Sequence, residues 1–122
     1  MKKVAFIFPG QGSQTIGMGK DFFENSELAK EMISKASERL GIDFEKLLFE
    51  ENENLGKTEF TQPAILLVSS IANAIFKEKC NITPEFVLGH SLGEFSALVS
   101  AGALDYLDAI ELVHRRGLFM TE

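Results

Sequence analysis

The serine in the segment GHSLG, residues 89–93, has the setting of an activated nucleophile. Ser91 lies between Gly89 and Gly93, after a short apolar run and before a segment with helical spacing. Strand, G-x-S-x-G and helix in this order are typical of a nucleophile elbow, a strained turn that presents the serine hydroxyl at the end of a strand. The flanking residues must be small because the chain passes close to itself there. The motif with its flanking elements therefore predicts that Ser91 is a nucleophile, although short matches also arise by chance.

Two backbone amides are candidates for an oxyanion hole beside this serine. The helix that begins after Ser91 would direct the N–H of Leu92 at a developing oxyanion. A second donor usually comes from a loop after another strand, and the N–H of Gln11 in PGQGSQ is placed for that. The same loop fits neither a dinucleotide fingerprint nor a Walker loop, since Thr15 and Met18 stand where these motifs require glycine and lysine. A plain turn stays the alternative.

Two adjacent arginines near the C-terminus are predicted to differ in role. Arg115 follows Glu111 by four residues, which predicts a solvated ion pair on one helix. Arg116 instead shares a helix face with apolar residues, where a guanidinium is costly unless it meets a carboxylate. The sequence leaves two alternatives open: Arg116 pairs with an acidic residue such as Glu94, or it binds the carboxylate of a substrate.

A general base for the serine is hard to identify. His90 directly precedes Ser91, so its ring would point elsewhere in a tight elbow, and His114 lies on the last predicted helix. Asp105 or Asp108 with His114 would satisfy the usual chain order of a triad, but all three share one helix. The two histidines and the single cysteine lack the spacing of metal ligands, so no metal site is predicted.

Composition excludes several classes of function. The chain has 122 residues, 45% of them hydrophobic, and a net charge of −6, which argues against nucleic-acid binding. One cysteine cannot form an internal disulfide, which suits a reducing compartment. The first apolar run, VAFIF, is broken by Pro9 and Gly10, so it predicts a strand and not a signal peptide. No apolar run reaches transmembrane length. These features predict a soluble, cytoplasmic protein with no membrane contact.

The order of predicted elements gives an α/β fold. Two apolar runs, residues 3–8 and 86–89, predict parallel strands buried on both faces. Two such strands cannot cover their own edges, so we expect residues 1–122 to be part of a larger domain. The predicted helices are residues 26–40 between Ser26 and Gly41, a short helix capped by Asp43, a long one capped by Thr61 with Pro63 in its first turn, residues 91–100, and a last helix capped by Asp105.

Four segments together resemble one family along the whole chain. FPGQGSQ at 8–14, TQPA at 61–64, GHSLGE at 89–94 and RRGLFM at 115–120 resemble the malonyl-CoA:acyl carrier protein transacylases in order and spacing. The resemblance implies an α/β-hydrolase-like large subdomain, with helices around a parallel sheet, into which a ferredoxin-like small subdomain is inserted. This chain would be the N-terminal part of the large subdomain, and the small subdomain would lie outside it.

The resemblance also implies a role for each motif. The reaction would be a ping-pong transfer of a malonyl group from malonyl-CoA, through a seryl ester, to the phosphopantetheine thiol of acyl carrier protein, in fatty acid biosynthesis. Both are substrates, and no permanently bound cofactor is implied. The implied residues are the nucleophile Ser91, the oxyanion donors Gln11 and Leu92, the carboxylate ligand Arg116, and Gln62 and His90 lining the site.

Two rival interpretations remain beside this one. A serine hydrolase or thioesterase has the same elbow but no need for a cation at the acyl tail. The catalytic histidine of the family would fall beyond Glu122, so the chain is also expected to be a truncated, inactive piece, or a non-catalytic fragment that folds with a partner. The sequence predicts no particular oligomeric state.

Overall fold

The fold consists of helices packed around a small parallel sheet. The computed structural model describes residues 4–80 and 84–121. The α/β prediction is confirmed. The elements are β1 (Ala5–Phe8), α1 (Lys20–Asn25), α2 (Glu27–Leu40), α3 (Phe44–Phe49), α4 (Thr58–Cys80), β2 (Phe86–Gly89), α5 (Leu92–Ser100) and α6 (Tyr106–Met120).

The two strands lie side by side and run in the same direction. Their register pairs Ala5 with Phe86 and Phe8 with Gly89. Because the strands are parallel, the loop after β1 and the turn after β2 leave the sheet at the same edge. The register therefore brings the PGQGSQ loop and the GHSLG turn together.

The prediction that both strands are buried on both faces is wrong for the described chain. Phe8 is buried and Phe6 packs edge-on against Phe76 of α4, with ring centroids 5.4 Å apart. The alternate side chains point the other way and are exposed: Ile7 by 75%, Phe86 by 61% and Leu88 by 55%. The runs are apolar throughout because both faces are apolar, but the described helices cover only one of them.

Most helix ends follow the predicted capping residues. The Ser26 hydroxyl accepts from Ala29 N, and Gly41 ends α2 with a φ of 67°, a left-handed conformation that suits glycine. The Asp43 carboxylate accepts from Lys46 N, and that of Asp105 accepts from Leu107 N at 3.0 Å. These caps are local in sequence, and the predictions are confirmed.

The start of α4 corrects the prediction that Thr61 caps this helix. The helix begins at Thr58, and Lys57 O already accepts from Thr61 N at 2.7 Å. The Thr61 side chain is buried, with its hydroxyl 2.5 Å from Leu55 O. Pro63 is therefore the sixth helical residue and lies beyond the first turn, where proline leaves a carbonyl without its helical donor. The short helix α1 was not predicted, because Gly17 and Gly19 favour a loop.

The helix α4 is the centre of the core. It packs against α2, α3, α5 and α6, and its residues from Thr61 to Leu67 are all buried. By length and composition α4 could cross a membrane, so the expectation that no segment reaches that length is wrong. More than half of its most apolar window is buried inside the protein, as in the central helix of a packed core.

Candidate active site

The turn after β2 is built by close backbone contacts. A Cβ atom at Gly89 would lie 2.0 Å from the Gly93 carbonyl, and one at Gly93 would lie 2.3 Å from Phe8 O. Gly10 approaches the turn from the other loop, where a Cβ atom would lie 2.6 Å from His90 O. No side chain fits at these three positions. The prediction that the chain passes close to itself at the elbow is confirmed.

The backbone of Ser91 is strained. Its φ is 54° and its ψ is −109°, and within residues 4–80 and 84–121 it is the one non-glycine residue with a positive φ. Such a conformation is costly for a side chain that carries a Cβ, and it persists where the surrounding structure enforces it. The residue is exposed. The structure therefore presents the serine at the N-terminus of α5, as the elbow pattern requires.

The first amides of α5 leave one donor available beside the serine. Gly93 N donates to His90 O and Glu94 N donates to Ser91 O, each at 3.0 Å. The N–H of Leu92 has no acceptor among the described residues, and neither has the N–H of Gln11 in the facing loop. Two free amides at one edge of the sheet are the arrangement that an oxyanion hole needs. Their role in catalysis stays a prediction.

Arg116 is brought to the serine from α6. Its Nη2 lies 3.3 Å from Ser91 Oγ, and its guanidinium carbon lies 5.5 Å from the centre of the Phe95 ring. No carboxylate within the described ranges lies at ion-pair distance from it, so the alternative of a pair with Glu94 is not realised. Arg115 pairs with Glu111 at 3.2 Å, as predicted. The two arginines therefore differ as their helical positions indicate.

Gln62 holds the guanidinium in place. This side chain is fully buried, and its Oε1 accepts from Arg116 Nη1 at 2.6 Å. Its Nε2 donates to Met120 Sδ at 3.2 Å. Because a guanidinium can only donate, it requires the amide oxygen of Gln62, and the NH2 group is then left to meet the weak sulfur acceptor. The sequence had placed Gln62 in the site but gave no sign of Met120 as its partner.

His114 fills the gap that Pro63 makes in α4. Proline has no N–H, so the carbonyl of Glu59, four residues earlier, has no helical donor. His114 Nδ1 lies 2.7 Å from Glu59 O and donates to it, since a carbonyl can only accept. This bond links α4 to α6 two residues before Arg116. It engages His114 with the backbone of α4 and not with Ser91, whose hydroxyl has Arg116 as its only described partner.

A glycine in α6 allows the close approach of the two helices. A Cβ atom at Gly117 would lie 2.6 Å from Glu59 Cα and 2.9 Å from Thr58 O. At this distance only glycine fits. Gly117 was not singled out in the sequence, because a glycine inside a helix gives no sign of the backbone it meets. It sets the position of the residue before it, Arg116.

The remaining surroundings of Arg116 are apolar. An open cleft of about 450 Å³ beside it is lined by Phe95, Leu112, Arg115, Arg116, Phe119 and Met120. His90, predicted to line the site, is exposed, and its carbonyl takes part in the turn. No group of three metal-ligating side chains occurs in the part of the chain that was described. The arrangement offers a serine hydroxyl, two amides without an acceptor among the described residues, and one cation in an apolar setting.

Comparison with known proteins gives a consistent result. Residues 5–122 match the family described as the acyl transferase domain. The chain is 50% identical over 123 residues to the malonyl CoA-acyl carrier protein transacylase of Bacillus subtilis strain 168, covering 100% of this chain and 38% of that relative. It therefore spans well under half the length of the curated relatives it matches.

Solved structures agree with the sequence comparison. The malonyl-CoA:acyl carrier protein transacylase of Helicobacter pylori superposes with a TM-score of 0.94 at 51% identity, covering 98% of this chain and 39% of that one. A malonyl-transacylase solved in complex with its type II PKS acyl-carrier protein superposes with a TM-score of 0.92 at 42% identity, covering 98% of this chain and 39% of that one. The helices around a parallel sheet are thus part of the fold of these enzymes.

Proposed function

Because the chain belongs to the acyl transferase domain family, we propose that it supplies the nucleophile, the oxyanion hole and the carboxylate ligand of a malonyl-CoA:acyl carrier protein transacylase of fatty acid biosynthesis. The observation that carries this proposal is the 3.3 Å contact between Arg116 and Ser91 Oγ. A cation beside a nucleophile, with no carboxylate at ion-pair distance among the described residues, suits an acyl group that ends in a carboxylate.

The first half of the reaction makes a seryl ester. Ser91 Oγ attacks the thioester carbonyl of malonyl-CoA while a base takes the hydroxyl proton, and the carbonyl oxygen becomes an oxyanion that accepts from the N–H groups of Gln11 and Leu92. Collapse of this intermediate expels the thiolate of coenzyme A, which recovers the proton from the base. The base is assigned, from the resemblance, to a histidine beyond residue 122.

The second half returns the serine. The phosphopantetheine thiol of acyl carrier protein gives its proton to the base and attacks the ester carbonyl, and Ser91 Oγ leaves and is reprotonated. Arg116 binds the malonyl carboxylate throughout, exchanging its long bond to Ser91 for a charge-assisted one while Gln62 keeps the guanidinium oriented. Phe95, whose ring lies beside the guanidinium, helps to exclude water, which would otherwise hydrolyse the ester.

Several general properties belong to the same proposal. The protein acts on two diffusible substrates with no bound metal or permanent cofactor, no nucleic acid and no membrane, in the cytoplasm. The buried side of α4, the acidic composition and the unpaired Cys80 support this setting. His90, exposed at the elbow, lines the entrance to the site.

In the test, the full-length protein that contains this chain is incubated with radiolabelled malonyl-CoA. The protein should retain one covalent label, and Ser91→Ala should abolish it. Arg116→Ala should lower malonyl transfer by a factor of about 100 while it changes acetyl transfer by less than about tenfold, since a charged hydrogen bond contributes about 1.5–3 kcal/mol. Arg115→Ala, one residue away, is the matched control and should match the unmodified protein.

Three results would contradict the proposal in different ways. Label retained by Ser91→Ala would exclude this serine as the nucleophile. Equal losses of malonyl and acetyl transfer in Arg116→Ala would favour the hydrolase alternative. A full-length protein that takes up no label would point to a non-catalytic role.

A further inference from the structure

We propose that Thr58 is a positioning residue for the oxyanion hole, acting through the side chain of Gln11. The inference rests on the proposed function, in which the backbone N–H of Gln11 is an oxyanion donor. It concerns the side chains that hold this amide in place. Thr58 lies outside the four segments that carry the family resemblance.

The loop that carries Gln11 has few fixed points of its own. Ser13 donates to Gly10 O through both its amide, at 3.3 Å, and its hydroxyl, at 2.8 Å, and Gly12 N donates to the side chain of Gln14 at 2.8 Å. These bonds close the loop upon itself, and at its start Gly10 packs against the backbone of His90. Its left-handed Gly12, with φ of 107°, leaves the loop backbone free to adopt other conformations.

One hydrogen bond joins this loop to the helical core. Gln11 Nε2 donates to Thr58 Oγ1 at 2.9 Å. Among the hydrogen bonds described for residues 10–14, it is the one that leaves the loop. The amide N–H and the bonded side chain belong to the same residue. Holding the Gln11 side chain therefore limits movement of the backbone that carries this amide.

The acceptor lies on a rigid part of the molecule. Thr58 is the first residue of α4, and the bonds from Phe60 N and Thr61 N to Lys57 O fix this turn at 2.9 and 2.7 Å. The same turn meets Gly117 at backbone contact distance. Through Thr58, the loop that carries Gln11 is thus anchored to the junction of α4 and α6 that also positions Arg116. One turn of α4 sets the distance between the two groups that bind opposite ends of the acyl unit.

This geometry predicts an effect on the transition state and not on substrate binding. Thr58→Val removes the acceptor with little change of shape, and Thr58→Ser keeps it. In the full-length protein, Thr58→Val should lower kcat of transfer about fivefold, the effect of one net hydrogen bond, with KM unchanged. The loss should be the same for malonyl-CoA and acetyl-CoA, because the oxyanion is common to both. Thr58→Ser should have the kcat of the unmodified protein, because the hydroxyl acceptor is kept.

Two further variants separate this role from a loss of stability. Thr121→Val is the matched control, since it removes a hydroxyl whose one bond within the described chain goes to Leu118 O, at 2.8 Å on the exposed end of α6. Its kcat should equal that of the unmodified protein. Gln11→Met removes the donor and leaves α4 untouched. It should reproduce the loss, and the double variant with Thr58→Val should lose no more than either single one.

Each outcome is decisive. An unchanged kcat in Thr58→Val, a loss confined to malonyl-CoA, or additive losses in the double variant would overturn the inference. A melting temperature lowered in Thr58→Val with full kcat in Gln11→Met would also overturn it. If the unmodified protein forms no seryl ester, the proposed function fails first, and the two failures are thereby distinguished.

Discussion

The turn around Ser91 and the C-terminal part of α6 meet where Arg116 contacts Ser91, but they are held by different kinds of contact. The elbow is fixed by backbone against backbone, with Gly89, Gly93 and Gly10 each leaving no room for a Cβ atom. The guanidinium of Arg116 is held by side-chain hydrogen bonds: it donates to Gln62 Oε1, and Gln62 Nε2 donates to Met120 Sδ. The turn therefore depends on the absence of a side chain at three glycines. The position of Arg116 depends on the polar atoms of the side chains around it.

This difference predicts how each of the two regions should respond to substitution. A packed backbone cannot move aside by a few tenths of an ångström without displacing the strand that it touches, so one added carbon should have a large effect. A hydrogen-bonded side chain can be weakened one bond at a time, and each bond contributes about 1 kcal/mol. Substitutions in the two regions should therefore differ in the size of their effects on stability and activity.

The largest effect is expected at the elbow. In Gly89→Ala the new Cβ atom would lie 2.0 Å from the Gly93 carbonyl, so β2 and α5 must separate. We expect a loss of about 3 kcal/mol in the free energy of unfolding, measured by urea denaturation, together with loss of labelling at Ser91. Gly56→Ala is the control, since nothing lies within 4 Å of its Cβ position. Equal stability of the two variants would show that the elbow is not tightly packed.

A smaller effect is expected where α6 is tied to α4. His114→Phe removes the Nδ1 donor and leaves Glu59 O without a partner, which should cost about 1–3 kcal/mol in the free energy of unfolding. In a Pro63→Ala background residue 63 regains its N–H and can donate to the same carbonyl. The cost of His114→Phe should then fall. A double-mutant cycle measures this coupling, and additive costs would contradict the link.

The smallest effect is expected at Tyr106, the first residue of α6, and it concerns the titration of its phenol. Burial, helped by the carboxylates of Asp105 and Glu31, raises the pKa of Tyr106 to about 12 from 10.0. The folded protein thus favours the neutral phenol, so stability is unaffected below pH 10 and falls as the pH rises from there towards 12. The chain has one tyrosine, so its absorbance titration reports this group directly. A midpoint near 10 in the folded protein would show that this end of α6 is loosely packed.

Much of the fold could be read from the sequence because its signals are local. A capping carboxylate such as Asp105 or a left-handed Gly41 acts within four residues, and both are where they were predicted. The start of α4 could not be placed this way. Thr61 and Pro63 look like an N-terminus, but the carbonyl that Pro63 frees is satisfied by His114 from another helix, so the helix extends back to Thr58.

The candidate site shows the same division between local sequence signals and tertiary contacts. The sequence by itself determined the elbow around Ser91 and the apolar side of α6 that carries Arg116, because a turn needs glycines at fixed spacing and a helix has a fixed period. Only the tertiary structure decided that Arg116 reaches Ser91, that Met120 accepts from Gln62 and that Thr58 accepts from Gln11. These contacts join residues 25 to 58 positions apart, and their partners depend on how the helices pack, which no local pattern encodes.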